Sequence, residues 1–439
     1  MGVGTFCLPE ALSGDNPSVV SVTPGACASR GAVGAGAMQA RFLKNAIVLG
    51  LVSAIGPFAI DMYLPALPSI GRSLHADPAA VQMSLTAFFI ALAIGPPICG
   101  PLSDRFGRKP PLYIGLGLFV LASIGCALAP NIETLIALRF VEGLAACAGM
   151  VIPRAIVRDL HTGADATRLM SLLMLVFSVS PILAPLTGSF VIQLAGWRAV
   201  FWSVTGAALL GAIILSAVPE TRPQSQRELA ATVGAFASYK RLLEDRTFLG
   251  VTLVGGFGLA SFFVYLSNSP FVLIEHYHLS PRLFSVLFST NAASFFAVAQ
   301  LNGWLAGRVG LRHLVRRAAT GFAVVLLVLL ALVLSGVDRL DALVVLLFIG
   351  YGCLGMVLPT AAVLALEHHG SIAGTASALM GTLQFAMGAA VMMLVGSFAN
   401  ASPLPMVSGI AACALAALVL ARATLRVAHD PSVQPATDA

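Results

Sequence analysis

Long apolar runs separated by short polar links dominate the pattern along the 439 residues. A hydrocarbon core about 30 Å thick is crossed by roughly 20 apolar helical residues, so runs of that length predict membrane spans. Twelve occur, six on each side of a polar stretch at 218–246. The predicted spans are 45–70, 80–102, 111–130, 132–155, 167–195, 197–217, 247–274, 282–306, 312–335, 340–366, 370–397 and 403–425. We therefore predict an all-α integral membrane protein with twelve transmembrane helices.

Composition agrees with a lipid environment. Hydrophobic residues make up 58% of the chain and charged residues 10%, and the mean hydropathy is +0.92. A soluble fold of this size cannot bury so much apolar surface. The seven cysteines are scattered without the paired spacing of a metal or redox site, so we predict no metal and no cofactor.

The distribution of Lys and Arg predicts the orientation. With the N-terminus inside, 19 basic residues fall on the cytoplasmic side and four, Arg72, Arg198, Arg282 and Arg339, fall outside. Basic residues accumulate in cytoplasmic loops, so both termini are expected in the cytoplasm. This asymmetry also explains the net charge of +6 without a nucleic-acid partner.

The ends of the chain differ from the apolar body. Residues 1–37 are rich in Gly, Ala, Ser and Pro and lack a signal-like apolar run, so the lead 1–44 is expected to be disordered. "MQARFLKN" begins at Met38, and one hypothesis is that translation starts there. Residues 427–439 are expected to form a cytoplasmic tail.

An internal repeat divides the chain. "GPLSDRFGR" from Gly100 matches "GWLAGRVGLR" from Gly303 at a shift of 203, and "YLPALP" from Tyr63 matches "YLSNSP" from Tyr265 at a shift of 202. Two distant matches at nearly one offset indicate a duplicated helix bundle.

The repeat sets the predicted domain boundaries. We predict six-helix bundles at 45–217 and 247–426, joined by a cytoplasmic linker at 218–246. The two halves run parallel, related by an axis along the membrane normal.

The stretch "GPLSDRFGRKP" at 100–110 concentrates charge in a chain that has little of it. We expect Gly100 and Gly107 to allow close backbone approach and a tight turn, and Asp104 to sit at a helix N-terminus. Arg105 and Arg108 are expected to face cytoplasmic water and lipid phosphates. Two interpretations stay open: a topological anchor alone, or a conformational latch in which Asp104 pairs across the seam between the halves.

Four motifs carry a family resemblance. "GPLSDRFGRKP" resembles the loop two-three signature of the major facilitator superfamily, and "RFVEGLAACAG" at 139–149 resembles the helix-four motif of its proton-coupled drug exporters. "SPILAPLTGS" at 180–189 resembles a degenerate helix-five antiporter motif, and "IDMYLPALPSI" at 60–70 is similar to the first-helix signature of the bicyclomycin and chloramphenicol resistance subfamily.

The resemblance covers about residues 40–425. It implies two parallel six-helix repeats and proton-coupled export of small amphiphilic compounds by alternating access. It also implies a monomer in the bacterial inner membrane, with protons, small molecules and the lipid bilayer as partners.

Three ionisable residues inside spans of the first half need an explanation, since such groups cost at least ~2.5 kcal/mol to insert. Asp61 lies 16 residues beyond Asn45, about 24 Å along the helix. It is either a carboxylate that alternates between protonated and ionised states or a solvated helix end beside Pro65. By resemblance, Asp61 occupies the position of the subfamily's acidic residue in helix one.

Arg139 matches the arginine of the helix-four motif, which the family is thought to use to control protonation of a nearby carboxylate. Its alternative role is a structural arginine bonded to helix-one carbonyls. Glu142 stands where glutamine is usual, and its spacing allows either an ion pair with Arg139 or a second proton site. Arg154 is expected to extend to the cytoplasmic face.

Pro181, Pro185 and Gly188 in the fifth span remove backbone bonds and allow close contact where the halves should meet. The helix is expected either to gate the transporter or to be kinked without a gating role. The family pattern has glycines where this chain has Ser180 and Ala184, which makes tight closure less certain.

The substrate is expected near the midplane between the halves. Aromatic, Met and amide side chains there suit bulky amphiphilic molecules that are neutral or cationic, and each aromatic also has an ordinary packing role. The candidates are Tyr63, Phe88, Met150, Phe177, Phe262, Tyr265, Asn268, Asn291 and Gln384.

Two alternatives remain open. The same fold serves uptake or metabolite export, and an integral-membrane enzyme is a different class. The sequence has no HExxH, GxSxG or Gly-rich phosphate loop, and the adjacent histidines of "EHH" at 367–369 point to different helix sides. We therefore predict a protein that is not an enzyme.

Overall fold

The computed structural model describes residues 25–161, 163–221, 235–367, 369, 373–398 and 402–425, without side chains at 25–41, 164, 167, 235–238 and 373. Expectations for 1–24, for 222–234 of the linker and for the tail lie outside these residues. Residues 25–44 of the lead, which were expected to be disordered, belong to a helix that begins at Gly25. By its internal contacts the chain separates into residues 1–45 and 46–439. Every site described below belongs to the second unit.

Helices make up the described fold. In chain order they are α1 Gly25–Asp61, α2 Leu67–Leu74, α3 Pro78–Phe106, α4 Lys109–Leu128, α5 Ile132–Leu160, α6 Gly163–Ala195, α7 Arg198–Leu215, α8 Ala235–Glu244, α9 Arg246–Pro270, α10 Pro281–Ala299, α11 Asn302–Val309, α12 Leu311–Leu334, α13 Leu340–Leu366, α14 Ala373–Gly396 and α15 Pro403–Thr424. Leu64–Ala66 form a 3₁₀ turn and Phe271–His276 a π turn.

The prediction of twelve spans is confirmed, since twelve stretches of the described residues are long and apolar enough to cross a membrane. Two of their ends differ from the predicted ones by more than four residues. The eighth span was expected to reach residue 306, but α10 ends at Ala299 and a separate short helix, α11, follows. The fourth was expected to end at 155 and continues to Leu160.

The first span is broken, where one continuous helix over 45–70 was expected. Helix α1 ends at Asp61, the 3₁₀ turn follows, and the chain resumes as α2. Pro65 and Pro68 occupy the first turns of these two short elements. A proline has no N–H to donate to the preceding turn, so two of them in four residues end the regular hydrogen-bond ladder.

Side-chain caps begin several spanning helices. Asp77 accepts from Ala80 N at 2.7 Å, Asn131 from Thr134 N at 2.9 Å, and Ser280 from Leu283 N at 3.2 Å. Each satisfies an N–H group that has no partner within its helix. These short polar residues are the signals that separate the apolar runs in the sequence.

The two halves share structural details as well as motifs. Gly107 between α3 and α4 and Gly310 between α11 and α12 have φ values of 92° and 77°, a region that favours glycine. The matched tyrosines also behave alike: Tyr63 hydrogen-bonds Ser84 at 2.7 Å, and Tyr265 accepts from Asn291 at 2.8 Å. Within each half, the helix carrying the tyrosine is therefore tied to the next spanning helix.

Contacts between the halves run along two helix pairs. Helix α3 packs on α14, and α6 packs on α10. The fold is thus two parallel six-helix repeats that face each other through these pairs. The predicted domain boundaries themselves stay predictions.

Candidate functional site

A buried ion pair lies in the middle of α5. Arg139 Nη1 is 2.7 Å from Glu142 Oε2, and both side chains are fully buried. The i, i+3 spacing places the two groups on one face of the helix. The pairing interpretation of Glu142 is thus the one that the geometry shows.

Aromatic rings enclose this pair. The Arg139 guanidinium lies 4.4 Å from the centre of the Tyr63 ring and 4.3 Å from that of Phe88. Its Nη1 also donates weakly to the Ala59 carbonyl at 3.5 Å, as the structural role predicted for this arginine requires. Arg139 Nε and Nη2 and Glu142 Oε1 are buried without hydrogen-bond partners. Because the pair is buried, water does not screen its charges, and the Arg139 and Glu142 side chains attract each other strongly.

Asp61 ends α1 at the break of the first span. Its side chain is 4% exposed and accepts a hydrogen bond from Ser180 Oγ of α6 at 3.1 Å. Arg139 was expected to act on a nearby carboxylate, but its ion pair is with Glu142, and Asp61 is held by a hydroxyl. The alternative of a solvated helix end beside Pro65 is wrong in this conformation, because Asp61 and Pro65 are both buried.

Helix α6 contacts the break of the first span and also α10. A Cβ added at Gly188 would lie 2.8 Å from Met62 Cα, so this glycine allows the two backbones to touch. From α10, Ser285 donates to the Pro185 carbonyl at 2.8 Å and Ser289 to the Ile182 carbonyl at 2.7 Å. The proline-containing segment of α6 therefore lies between the Asp61 site and the second half.

The substrate candidates do not form one lining. Phe262, Tyr265 and Asn291 are together in a buried aromatic cluster, where Tyr265 stacks on Phe288 with ring centres 5.4 Å apart. Asn291 Oδ1 is buried there without a partner.

The other candidates lie apart from that cluster. Met150 packs against Gly56 of α1, and Gln384 packs against Gly255 of α9. In both contacts the absence of a glycine side chain makes room for the larger residue. Phe177 lies beneath the guanidinium of Arg154.

Asn268 belongs to a contact between the halves that the sequence did not indicate. Gln82 Nε2 of α3 donates to Asn268 Oδ1 at 3.1 Å, and both residues are buried. Nearby, Phe89 stacks on Phe263 with ring centres 4.0 Å apart. Nothing in the sequence indicates that a single Gln or Phe in an apolar run contacts the other repeat. The sequence analysis therefore did not predict the contacts of Gln82, Phe89 and Phe263.

The motif at 100–110 is part of a charged network, which we define as residues 103–109, 159 and 220–221. The network lies at the end of the bundle where the predicted cytoplasmic Lys and Arg residues are found, called the basic end below. Arg108 Nε donates to Asp159 at 2.7 Å and Nη1 to Asp104 at 2.7 Å. Partial burial would lower the pKa of Arg108, but Asp159 and Asp104 outweigh it and raise that pKa. The Glu220 carboxylate accepts from the backbone N–H groups of Arg108 and Lys109, each at 2.9 Å.

Three expectations for this motif are corrected. Arg108 was expected to face cytoplasmic water and lipid phosphates, but it is 5% exposed and pairs with Asp159 and Asp104. Asp104 lies in the last turn of α3, so the carboxylate at a helix N-terminus is that of Glu220. No atom lies within 4 Å of a Cβ position at Gly100, so close backbone approach does not explain this glycine. The positive φ of Gly107 agrees with the expected tight turn. Arg105 is exposed and lies over the Phe106 ring. The latch across the seam stays a prediction.

The family follows from a sequence comparison. Residues 49–392 match the family model described as Major Facilitator Superfamily. The chain belongs to this superfamily. It is a multi-pass membrane transporter, and at the level of the family it is not an enzyme.

Relatives within the superfamily confirm the subfamily resemblance. The chain is 39% identical over 357 residues to the uncharacterized MFS-type transporter YdgK of Bacillus subtilis, covering 81% of this chain and 89% of the relative. It is 29% identical to the bicyclomycin resistance protein homolog of Haemophilus influenzae, covering 84% and 92%. It is 30% identical to the chloramphenicol resistance protein of Pseudomonas aeruginosa, covering 80% and 82%.

Solved structures show the same fold. A D-xylose-proton symporter aligns with a TM-score of 0.68 at 19% identity, covering 86% of this chain and 97% of that one. The partially occluded, inward-open xylose transporter XylE of E. coli aligns with a TM-score of 0.66 at 16% identity, covering 87% and 97%. At these identities the likeness concerns the fold alone.

Proposed function

We propose that this chain is a proton-coupled exporter of small amphiphilic compounds that works by alternating access. The observation that carries the proposal is the placement of Asp61. Its buried carboxyl group lies at a break in the first spanning helix and is held by Ser180 of the proline-containing helix α6. The names of the relatives, bicyclomycin resistance protein homolog and chloramphenicol resistance protein, support drugs as substrates.

The contacts suggest how proton movement is linked to conformation. A buried carboxyl group with one hydroxyl partner is stable as the neutral acid, and its ionised form requires water or a cation. Movement of α6 away from the break would separate Ser180 from Asp61 and admit water. Proton release is then coupled to the relative movement of the halves, and proton entry drives export of the substrate.

Arg139 and Glu142 have a supporting role in this scheme. Their mutual pairing neutralises both charges beside the Asp61 helix, since Arg139 also touches Ala59 and Tyr63 of the first span. Rearrangement of this pair would make Glu142 the second proton site. The distribution of basic residues favours both termini in the cytoplasm, and the family resemblance favours a monomer in the bacterial inner membrane.

The test uses purified full-length protein in liposomes with an imposed pH gradient and labelled chloramphenicol or bicyclomycin. An exporter driven by protons accumulates the compound when the lumen is acidic, and a protonophore abolishes this accumulation. Asp61→Asn is expected to abolish it as well, because an amide cannot release a proton. Asp165→Asn, at an exposed acid in α6, is the matched control and should transport normally.

Two outcomes contradict the proposal. Accumulation only with an alkaline lumen would indicate proton symport, which is uptake rather than export. Full gradient-driven accumulation by Asp61→Asn would remove Asp61 from the proton pathway.

A further inference from the structure

Arg154 in α5 is half-buried and differs from the two buried arginines of the first half. Arg139 is paired with Glu142, and Arg108 with Asp159 and Asp104. Among the residues that the structure describes, Arg154 has no acidic partner. Its Nε is buried without a hydrogen-bond partner, and its guanidinium lies 4.9 Å from the centre of the Phe177 ring.

The surroundings of Arg154 are positive. Arg158 lies one turn further along α5 and carries a charge of the same sign. Arg158 in turn extends across to the second half, where its Nη1 lies 3.9 Å from the position of a Cβ on Gly374 in the first turn of α14. Arg154 and Arg158 therefore share one face of α5, and neither forms an ion pair with a carboxylate of the described residues, which is an environment suited to an anion.

The position also suits an amphiphile. Arg154 lies six residues before the end of α5 at Leu160, about 9 Å inside the helix end. Met150, one turn further into the membrane, packs at Gly56 of α1, and Phe177 covers the guanidinium from α6. A polar head at Arg154 would thus have apolar side chains directly beside it, on the side leading toward Asp61.

We propose that Arg154 binds a carboxylate or phosphate group of an anionic amphiphile that enters from the basic end of the bundle. This rests on the proposed function and extends its substrate class to amphiphiles with an acidic head. The anionic group belongs either to the transported molecule or to a membrane phospholipid. The sequence predicted that the Arg154 side chain extends to the helix end. That role does not explain why Nε is buried or why the guanidinium contacts Phe177.

The test is equilibrium binding of dansylaminoundecanoate and of its uncharged methyl ester to full-length protein in nanodiscs made of phosphatidylcholine alone. No pH gradient is applied, so this binding measurement does not depend on proton-coupled transport. A negative result here is therefore distinguishable from a negative result in the transport test. The wild type is expected to prefer the carboxylate. Arg154→Gln should weaken carboxylate binding by about 10- to 100-fold, the usual size of a lost charge-assisted hydrogen bond, and leave ester binding unchanged.

Two further variants complete the test. Arg312→Gln removes an exposed arginine from the basic end of the second half and should retain the carboxylate preference. If Arg154→Gln binds neither probe, Arg154→Lys decides: it keeps the charge and should keep the preference, and a loss of preference in Arg154→Lys overturns the proposal.

Lipid composition separates the two sources of the anion. If phosphatidylglycerol in the nanodiscs competes with the carboxylate probe in the wild type but not in Arg154→Gln, the site binds a lipid headgroup. If it does not compete while Arg154→Gln still loses the carboxylate, the site serves transported molecules. Equal binding of carboxylate and ester by the wild type, or carboxylate binding unaffected by Arg154→Gln, overturns the proposal.

Discussion

At the scale of the residue, the three predicted proton-coupling residues are held in two different ways. Arg139 and Glu142 neutralise each other within one helix, whereas Asp61 is held by a hydroxyl of another helix. Only the second arrangement changes when helices move apart, because the i, i+3 pair moves as one unit. The sequence identified all three residues, but the spacing along the chain did not decide which carboxylate the arginine contacts.

The buried pair leads to a prediction about stability. Arg139→Leu and Glu142→Leu should each lower the free energy of unfolding by about 3–5 kcal/mol, because each leaves an uncompensated buried charge. The double variant should lose much less than the sum of the two, since it leaves no charge. Thermal unfolding of the three variants in detergent measures this coupling. A loss in the double variant equal to the sum would show that the two charges do not interact.

At the scale of the element, proline and glycine decide where spanning helices end and touch. The prolines at 65 and 68 break the first span, whereas Pro181 and Pro185 lie inside the continuous helix α6. Serine hydroxyls of α10 bond the Ile182 and Pro185 carbonyls of this segment, which ties the proline-containing part of α6 to the second half. The sequence indicated where helices can be disturbed, but not which of these sites would break the helix.

Contact between α6 and the break of the first span can be tested with a single methyl group. Gly188→Ala places a Cβ against the Met62 backbone, 2.8 Å from its Cα, and should therefore force the helices apart, lower the unfolding temperature and reduce transport. Gly206→Ala on α7 is the matched control, because no atom lies within 4 Å of its Cβ position. It should be neutral or slightly stabilising. Equal behaviour of the two variants would show that close contact at Gly188 is dispensable.

At the scale of the whole molecule, buried contacts between the repeats hold the halves together near the end of the bundle opposite the basic end. Gln82 bonds Asn268, and Phe89 stacks on Phe263. A hydrogen bond and a ring contact can be broken and remade without separating charges. This suits a closure that must open in every transport cycle.

If this contact must open during transport, a covalent link between the two helices should block transport reversibly. Gln82→Cys with Asn268→Cys puts a thiol on each of the two helices whose side chains now meet. A short bis-methanethiosulfonate cross-linker should therefore join the halves and abolish transport, and a reductant should restore it. Liposome transport under both conditions measures the effect, with Gln82→Cys alone as the control. Undiminished transport by the cross-linked protein would show that these helices need not separate.

The sequence by itself determined the twelve spans, the repeat and the identity of the ionisable residues in the membrane. These follow from local physics: lipid requires continuous apolar helices, a turn with positive φ requires glycine at 107 and 310, and a charge in an apolar run is visible wherever it occurs. The tertiary structure alone decided that Arg139 pairs with Glu142, that Ser180 holds Asp61, that Gln82 meets Asn268 and that Arg154 has no acidic partner among the described residues. Those outcomes depend on how helices rotate and approach each other, and in a chain that is apolar on all sides the sequence pattern does not fix the rotation of each helix.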